Sequence, residues 1–208
     1  MTAPGWFVTF EGGEGAGKST QLEAVAALAR AAGHEVVTCR EPGGTPLGER
    51  LRDALFGLDA APAPLAELLV FGAARAELVG AVIRPALERG ALVLCDRFAD
   101  STVAYQHYGR GIALDDVVAI NNAATGGLLP ALTVLLDLPP DAGRARGEDG
   151  GSDYLEREEI AFHERVREGY LAMAAAEPER WLVLDALLPR EELTREVWGR
   201  VAGLLGVE

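Results

Sequence analysis

The stretch Gly12-Gly13-Glu14-Gly15-Ala16-Gly17-Lys18-Ser19 directly follows an apolar run at residues 6–10. Its spacing, G-x-x-x-x-G-K-S, is that of a phosphate-binding loop, in which glycines let successive backbone N–H groups turn inward around a phosphate. Lys18 would reach the β- and γ-phosphates of a nucleoside triphosphate, and the Ser19 hydroxyl would bind Mg²⁺. The alternative is a plain glycine-rich turn. The order strand, loop, helix argues against it.

Lys18 is the only lysine of the chain. All other Lys and Arg positions are arginine, so the one lysine stands where a compact point charge is hardest to replace. The helix predicted to begin near Lys18 directs the positive end of its dipole at the same place. Both features favour a bound phosphate.

Composition limits the class of protein. The 208 residues are 49% hydrophobic and 25% charged, as expected of one globular domain. A net charge of −13 argues against binding nucleic acid. Cys39 and Cys95 each end an apolar run, which predicts buried thiols in a reducing cytoplasm. Residues 1–5 do not resemble a signal peptide, and no apolar run approaches membrane-spanning length, so a cytoplasmic location is expected.

The hydrophobic pattern predicts alternating strands and helices. Strands are expected at residues 6–10, 35–39, 91–95, 132–138 and 181–184. Helices are expected at residues 18–32, 47–56, 65–82, 101–108, 115–124, 155–176 and 190–205. This alternation indicates a three-layer α/β domain over residues 1–208, with a five-stranded parallel sheet covered by helices on both faces. Residues 139–152, with four glycines and little apolar content, predict a mobile segment.

Ligands of such sheets bind beyond the carboxyl ends of the strands. The second strand leads into Arg40-Glu41-Pro42-Gly43-Gly44, and the third into Asp96-Arg97. Asp96 could contact Mg²⁺, or it could cap a turn or pair with Arg97. Arg97 offers a planar fork to phosphate oxygens, whereas Arg40 could do the same or simply close its loop.

Two helices carry polar and aromatic side chains suited to a nucleoside. Phe71 and Arg75 are four residues apart, so they share one helix face. Taken alone, however, this pair is better interpreted as a core phenylalanine beside a surface arginine. A second wall combines residues of the predicted helix 101–108: Ser101, Thr102, Tyr105, Gln106 and Tyr108.

Several segments, in this order along the chain, resemble bacterial thymidylate kinases. They are Phe10-Glu11-Gly12, the phosphate-binding loop through Thr20, Arg40-Glu41-Pro42-Gly43-Gly44-Thr45, Phe71-Gly72-Ala73-Ala74-Arg75, Asp96-Arg97, Asp100-Ser101-Thr102-Val103-Ala104-Tyr105-Gln106 and Gly109-Arg110-Gly111. The resemblance implies a P-loop nucleoside monophosphate kinase fold, transfer of the γ-phosphoryl group of ATP to thymidine monophosphate, Mg²⁺ as cofactor and a homodimer.

The resemblance also implies roles for single residues. Those at the ATP side are Gly12, Gly13, Glu14, Gly15, Ala16, Gly17, Lys18, Ser19, Thr20 and Arg144. At the acceptor, Phe71 would stack on thymine, Arg75 would bond its 4-carbonyl, and Thr102 with Ser101 would lie near N3; Tyr105 would crowd the sugar 2′ position. Glu14 would face the 3′-hydroxyl, Arg97 and Arg40 would hold the acceptor phosphate, and Pro42 could follow a cis peptide bond. Gln106 would belong to the acceptor site, and Ser19 and Asp96 would bind the metal. Glu11 has no assigned role.

The resemblance further implies a lid at about residues 139–153 whose arginines act on ATP. Bacterial-type relatives have no arginine at the position of Gly15, so the lid must supply the catalytic cation. Arg146 matches the family's G-x-x-R, counted from Gly143, and is the expected catalytic lid arginine; Arg144 would face solvent or an outer phosphate. The family's D-R-[LI]-E reads Asp153-Tyr154-Leu155-Glu156 here, so that arginine is missing.

Two other functions are weighed. A different nucleoside monophosphate or deoxynucleoside kinase is possible, and a nucleoside kinase would need a carboxylate base such as Glu14 or Glu11. A monophosphate acceptor needs no base, because its second pKa is near ~6 and it is already a dianion at neutral pH. A GTP-dependent switch protein is disfavoured, since no aspartate has a glycine three residues on and the N-K-x-D motif is missing.

Overall fold

In the computed structural model, which describes residues 5–146 and 153–207, five parallel strands form one sheet in the order β2-β3-β1-β4-β5. The strands are Trp6–Glu11 (β1), Val36–Arg40 (β2), Leu92–Asp96 (β3), Leu132–Asp137 (β4) and Trp181–Asp185 (β5). The predicted three-layer α/β fold with a five-stranded parallel sheet is confirmed.

The central strands are mostly apolar because both faces of the sheet are covered. From Phe7 to Glu11 every residue of β1 is buried, whereas the edge strands β2 and β5 are partly exposed. The pairing sets Asp96 opposite both Phe10 and Arg40. The residues that follow β1, β2 and β3 therefore meet at one edge of the sheet.

Nine α-helical segments surround the sheet in the described part of the chain. They are Lys18–Ala31 (α1), Pro46–Phe56 (α2), Pro64–Leu78 (α3), Arg84–Glu88 (α4), Ala99–Thr102 (α5), Leu114–Thr125 (α6), Pro140–Arg146 (α7), Ile160–Ala176 (α8) and Arg190–Leu205 (α9). A π-helical turn, Val79–Ile83, joins α3 to α4, and a second, Val103–Gly109, extends α5. The first of these precedes Pro85, which has no N–H for the regular helical bond.

The segment between β4 and α8 differs from the sequence expectation. Residues 140–146, predicted as part of a mobile loop, form α7, and residues 147–152 lie outside the described part. The helix predicted from residue 155 begins only at Ile160. The reason is an Asx turn: the Asp153 carboxylate accepts hydrogen bonds from the backbone N–H groups of Leu155 (2.8 Å) and Glu156 (3.0 Å).

The core lies on both faces of the sheet. On one face α1 and α9 pack against β1 and β4; on the other, α8 packs against the π-helical turn Val103–Gly109. Cys95 is buried and Cys39 half-buried, opposite each other on β3 and β2. Residues 1–4 of the amino-terminal stretch lie outside the described part. Among the described helices none is both long and apolar enough to cross a membrane.

Candidate active site

The phosphate-binding loop turns on three glycines in the left-handed region: Gly12 (φ 135°), Gly15 (φ 68°) and Gly17 (φ 89°). A Cβ at Gly12 would lie 2.4 Å from the carbonyl oxygen of Leu136 on β4, so only glycine fits there. Lys18 begins α1 and is 7% exposed, and its Nζ donates to the Gly13 carbonyl at 2.7 Å. Burial and the nearby Arg97 lower the Lys18 pKa. The loop therefore encloses a lysine whose ammonium group is largely shielded from solvent.

Ser19 and Asp96 meet beside this lysine. The Ser19 hydroxyl donates to Asp96 Oδ2 at 2.5 Å, which brings the end of β3 to the start of α1. A hydroxyl and one carboxylate are hard oxygen donors of the kind Mg²⁺ takes, with phosphate oxygens and water as its other ligands. No cluster of three or more His, Cys, Asp or Glu side chains within the described residues could hold a metal by itself. The residues therefore fit Mg²⁺ bound together with a nucleotide.

Arg97 connects the loop to the next cavity. It is the one non-glycine residue with a positive φ (68°) in the part of the chain that is described, and its N–H donates to Phe10 O. Its guanidinium donates to Gly12 O at 3.0 Å and to the Glu14 carboxylate. Because Arg97 lies so close, it holds the pKa of Glu14 at about 2. An arginine in an uncommon backbone conformation, aimed along a phosphate-binding loop, indicates a site for a phosphate.

A cavity of about 130 Å³ opens beside Arg97 and contains nearly all the expected acceptor residues. Its wall includes Glu14, Pro42, Phe71, Arg75, Arg97, Ser101, Thr102, Tyr105 and Gln106. Pro42 follows a cis peptide bond, as the resemblance implied. Phe71 is half-buried and forms part of this wall, so it is not an ordinary core phenylalanine.

Arg40 is not part of the wall. Its side chain is 55% exposed and forms an ion pair with Glu49 at 2.8 Å, so it closes its own loop. Arg52 of α2 lies in the wall instead, with its Nη1 donating to Pro42 O at 3.1 Å and its guanidinium 4.7 Å from the centre of the Phe56 ring. The sequence contained a signal for it, because Arg52 and Phe56 are four residues apart, the same spacing as Phe71 and Arg75.

Arg75 is 2% exposed, so the interpretation of a surface arginine is wrong. Its Nε and Nη2 donate to Glu41 Oε2 at 2.8 and 2.6 Å, and Nη2 also donates to Phe98 O at 3.0 Å. Its Nη1 donates to Thr102 Oγ1 at 2.8 Å and to Asn121 Oδ1 at 2.7 Å. A guanidinium has five N–H donors, and here each has a protein acceptor. Arg75 thus also holds Glu41 and Thr102 in place.

Glu11, which had no assigned role, connects β1 to α5 and α8 beneath the site through hydrogen bonds. It is fully buried; its carboxyl accepts from Phe98 N (2.8 Å) and lies within hydrogen-bonding distance of Ser101 Oγ (2.5 Å) and Tyr170 Oη (3.1 Å). Burial and the nearby Asp100 raise the pKa of Glu11 to about 8. Glu11 therefore positions the start of the Ser101 helix and holds a proton at neutral pH.

A second cavity of about 440 Å³ lies between the phosphate-binding loop, α7 and α8. Both lid arginines line it, and they diverge. Arg146 donates to Ala186 O at 3.2 Å and approaches Gly15 O at 3.4 Å, whereas Arg144 donates to Glu158 O. Residues two apart do not share a helix face, which is why the two guanidinium groups take different directions.

His163 of α8 also lines this cavity and was missed in the sequence. Burial and the cation of Arg144 lower its pKa, so the ring is neutral at pH 7. Its position depends on where α8 begins, and no local signal showed that. Tyr154, which replaces the family's arginine, is buried against Phe56 and adds no cation to the cavity.

The two cavities meet at Glu14, Tyr105 and Glu156, which line both. One cavity is lined by the phosphate-binding loop and the lid arginines, and the other by aromatic rings and three arginines. Such a pair of adjoining sites suits the transfer of a group from a bound triphosphate to a second ligand.

Comparisons with known proteins agree with this geometry. The thymidylate kinase family profile matches residues 10–197. The thymidylate kinase of Deinococcus radiodurans is 53% identical over 199 residues, covering 95% of this chain and 97% of that protein; that of Thermomicrobium roseum is 50% identical over 202 residues, covering 96% of each. The crystal structure of thymidylate kinase from Ehrlichia chaffeensis superposes with a TM-score of 0.78 at 34% identity, covering 95% of this chain and 99% of that one.

Proposed function

Since the chain belongs to the thymidylate kinase family, we propose that it transfers the γ-phosphoryl group of ATP to thymidine 5′-monophosphate, giving dTDP and ADP. The observation that supports this proposal is the junction of the two cavities at Glu14 and Tyr105, because an acceptor phosphate bound there would lie next to the phosphate-binding loop. An oxygen of the acceptor phosphate forms the new bond to the γ-phosphorus as the bond to the β,γ-bridging oxygen breaks.

For this reaction the protein has to position the phosphates and offset their negative charge, and it does not have to remove a proton. The acceptor phosphate is a dianion at neutral pH, with a second pKa of ~6, so it needs no general base. Neutral His163 can stand beside the cavity without taking part in a proton transfer. Lys18 and the backbone N–H groups of the loop hold the β- and γ-phosphates. When bound, Mg²⁺ would offset charge on these phosphates, and Ser19 and Asp96 are the residues that would hold it.

In the acceptor cavity we assign the phosphate to Arg97 and Arg52, since Arg40 is exposed and paired with Glu49. Phe71 stacks on the thymine ring, and the Arg75–Thr102 end of the wall receives its 4-carbonyl. Tyr105 contacts the sugar, and its hydroxyl donates to Glu14 at 3.3 Å, which holds Glu14 toward the 3′-hydroxyl.

The lid supplies the remaining cation. We keep Arg146 as the arginine that meets the transferring phosphoryl group, because its guanidinium already reaches the phosphate-binding loop at Gly15. Arg144 is assigned to an outer phosphate. Movement of α7, the described part of the lid, would open and close this cavity over ATP, and lid residues 147–152 lie outside the described part.

The homodimer and the cytoplasmic location are proposals of the same kind. Leu65 and Leu69 of α3 and Leu114 and Val118 of α6 are between 41% and 56% exposed, on two helices that pack side by side. A second copy of the chain would cover them. Analytical ultracentrifugation should show a dimer, and Leu69→Glu should give a monomer.

A coupled assay of ADP release tests the function. Thymidine monophosphate should be the best acceptor among the nucleoside monophosphates, and thymidine itself should give no turnover above background. Faster turnover of thymidine would instead identify a nucleoside kinase, with Glu14 as the base.

A further inference from the structure

Glu67 of α3 is fully buried and has no part in the roles assigned above. Its carboxylate accepts from Gln106 Nε2 at 2.8 Å and from Arg110 Nε at 3.2 Å and Nη2 at 3.3 Å. Arg110 also donates to the Glu158 carboxylate, in the segment that precedes α8. Through Arg110, a buried carboxylate thus connects a residue of the acceptor wall to the segment that precedes α8.

The contact with Glu67 determines how the Gln106 amide is turned. A carboxylate held in an ion pair by Arg110 can only accept hydrogen bonds, so Gln106 must direct its NH₂ group at it. The carbonyl Oε1 is then on the opposite side of the amide. Gln106 is 1% exposed and lines the acceptor cavity, and no donor from the described residues engages its Oε1. The cavity therefore receives a hydrogen-bond acceptor from Gln106.

Thr102, four residues earlier on the same helix, provides the complementary group. Its oxygen accepts from Arg75 Nη1, which leaves its O–H free to donate. A 4-oxo pyrimidine presents a carbonyl at position 4 and an N–H at position 3, whereas a 4-amino pyrimidine presents an NH₂ and a bare ring nitrogen. One donor from Thr102 and one acceptor from Gln106 match the first pattern and mismatch the second.

We propose that Glu67 is a positioning residue for base specificity. Together with Arg110 it holds the Gln106 amide so that the carbonyl accepts the ring N–H of thymine, which selects thymine over cytosine. This inference rests on the proposed function, because it concerns the acceptor of that reaction. Buried polar groups arranged in this way reject a ligand of the wrong pattern, since that ligand would leave them unpaired.

The test is Glu67→Gln, which keeps the size of the side chain but can donate as well as accept. The Gln106 amide is then free to turn over, and it can present its NH₂ group to cytosine. We expect the ratio of kcat/KM for thymidine monophosphate over deoxycytidine monophosphate to fall at least about 10-fold, as for one lost hydrogen bond, while KM for ATP stays constant. Gln106→Met, without any amide, should lower the same ratio.

Glu158→Gln is the matched control, because it removes the other carboxylate partner of Arg110 and leaves the Glu67–Gln106 contact intact. Its ratio should equal that of the original chain. An unchanged ratio in folded Glu67→Gln, or in Gln106→Met, overturns the proposal, and so does an equal loss with both nucleotides, which would mean a purely structural role. Calorimetric binding of the two monophosphates gives the same ratio without turnover. The two proposals can therefore fail separately. If the unaltered chain phosphorylates thymidine monophosphate but the ratio is unchanged in the variants, only the role of Glu67 is refuted. If the chain does not phosphorylate thymidine monophosphate, the binding ratio alone can still support the role of Glu67.

Discussion

Replacing Gly15 by alanine should slow turnover by disturbing the lid. Gly15 has φ 68°, and a Cβ built on it would lie 2.7 Å from the carbonyl oxygen of Gly143 and 3.3 Å from Arg146 Cβ, both in α7. Ordinary contact begins at 3.4 Å. Because the obstacle at Gly143 is backbone and not a flexible side-chain end, α7 must move away from the loop by roughly 0.7 Å.

The expected size of the effect has two parts. The left-handed conformation costs an alanine about 1 kcal/mol of stability at any such site. Displacing the helix that carries the lid arginines has a separate consequence for catalysis, since misplacing a catalytic group by about 1 Å can cost ~10²-fold in rate. We expect kcat to fall between about 10- and 100-fold, with KM for thymidine monophosphate changed much less.

Gly33→Ala is the control, because Gly33 also has a positive φ (89°) but no atom within 4 Å of the position that an added methyl group would take. Thermal unfolding should show a similar loss of stability in both variants, and steady-state kinetics should show a fall in kcat only for Gly15→Ala. If the two variants had equal kcat, the closeness of Gly15 to α7 would have no bearing on phosphoryl transfer and the reasoning would be refuted.

Three further predictions concern single side chains. Lys18→Met should abolish turnover and leave the circular dichroism spectrum unchanged, because Lys18 contacts a loop at the end of a complete sheet; retained activity would contradict its phosphate role. Arg52→Ala should raise KM for thymidine monophosphate about 10- to 100-fold, as expected for the loss of a charged hydrogen bond. Arg40→Ala should raise the same KM less than about 5-fold, because Arg40 forms only an exposed ion pair. The reverse order of the two effects would identify Arg40 as the phosphate ligand. Glu11 keeps its proton up to about pH 8 when folded but loses it near pH 4.5 when unfolded. Its contribution to stability is therefore present at low pH and declines by up to about 1.4 kcal/mol per pH unit between these values. Between pH 5.5 and 7.5, the free energy of unfolding measured in urea should decline less for Glu11→Gln than for the unaltered chain. An equal decline in both proteins would mean that Glu11 does not titrate in this range.

Several features of the candidate site could be predicted because the residues concerned lie close together in the sequence. The phosphate-binding loop needs glycines at set positions and a lysine at the start of a helix, and all of these lie within eight residues. The apolar strands predicted the parallel sheet, and the sheet brings the residues after β1, β2 and β3 to one edge. Both conclusions depend on local pattern and on geometry common to such sheets.

The lid shows where local pattern was insufficient. Residues 140–146 have few apolar side chains, yet they form a helix, because that helix packs on Gly15 and on α8. Leu155 continues the apolar spacing of the following helix, but the Asp153 side chain captures the backbone N–H groups of that turn. Tertiary packing and a side-chain hydrogen bond overrode the periodicity at these two places.

The sequence by itself determined that this protein binds a nucleotide phosphate at the end of a parallel α/β sheet, since the groups responsible are neighbours in the chain. Only the tertiary structure decided that Arg52 and not Arg40 lines the second cavity, that Arg75 is buried, and that Glu67 lies against the Gln106 amide. The acceptors of Arg75 are 23 to 46 residues away, and Glu67 and Gln106 are 39 apart. The direction and protonation of such side chains depend on hydrogen bonds between distant segments, and those exist only once the helices have packed against the sheet.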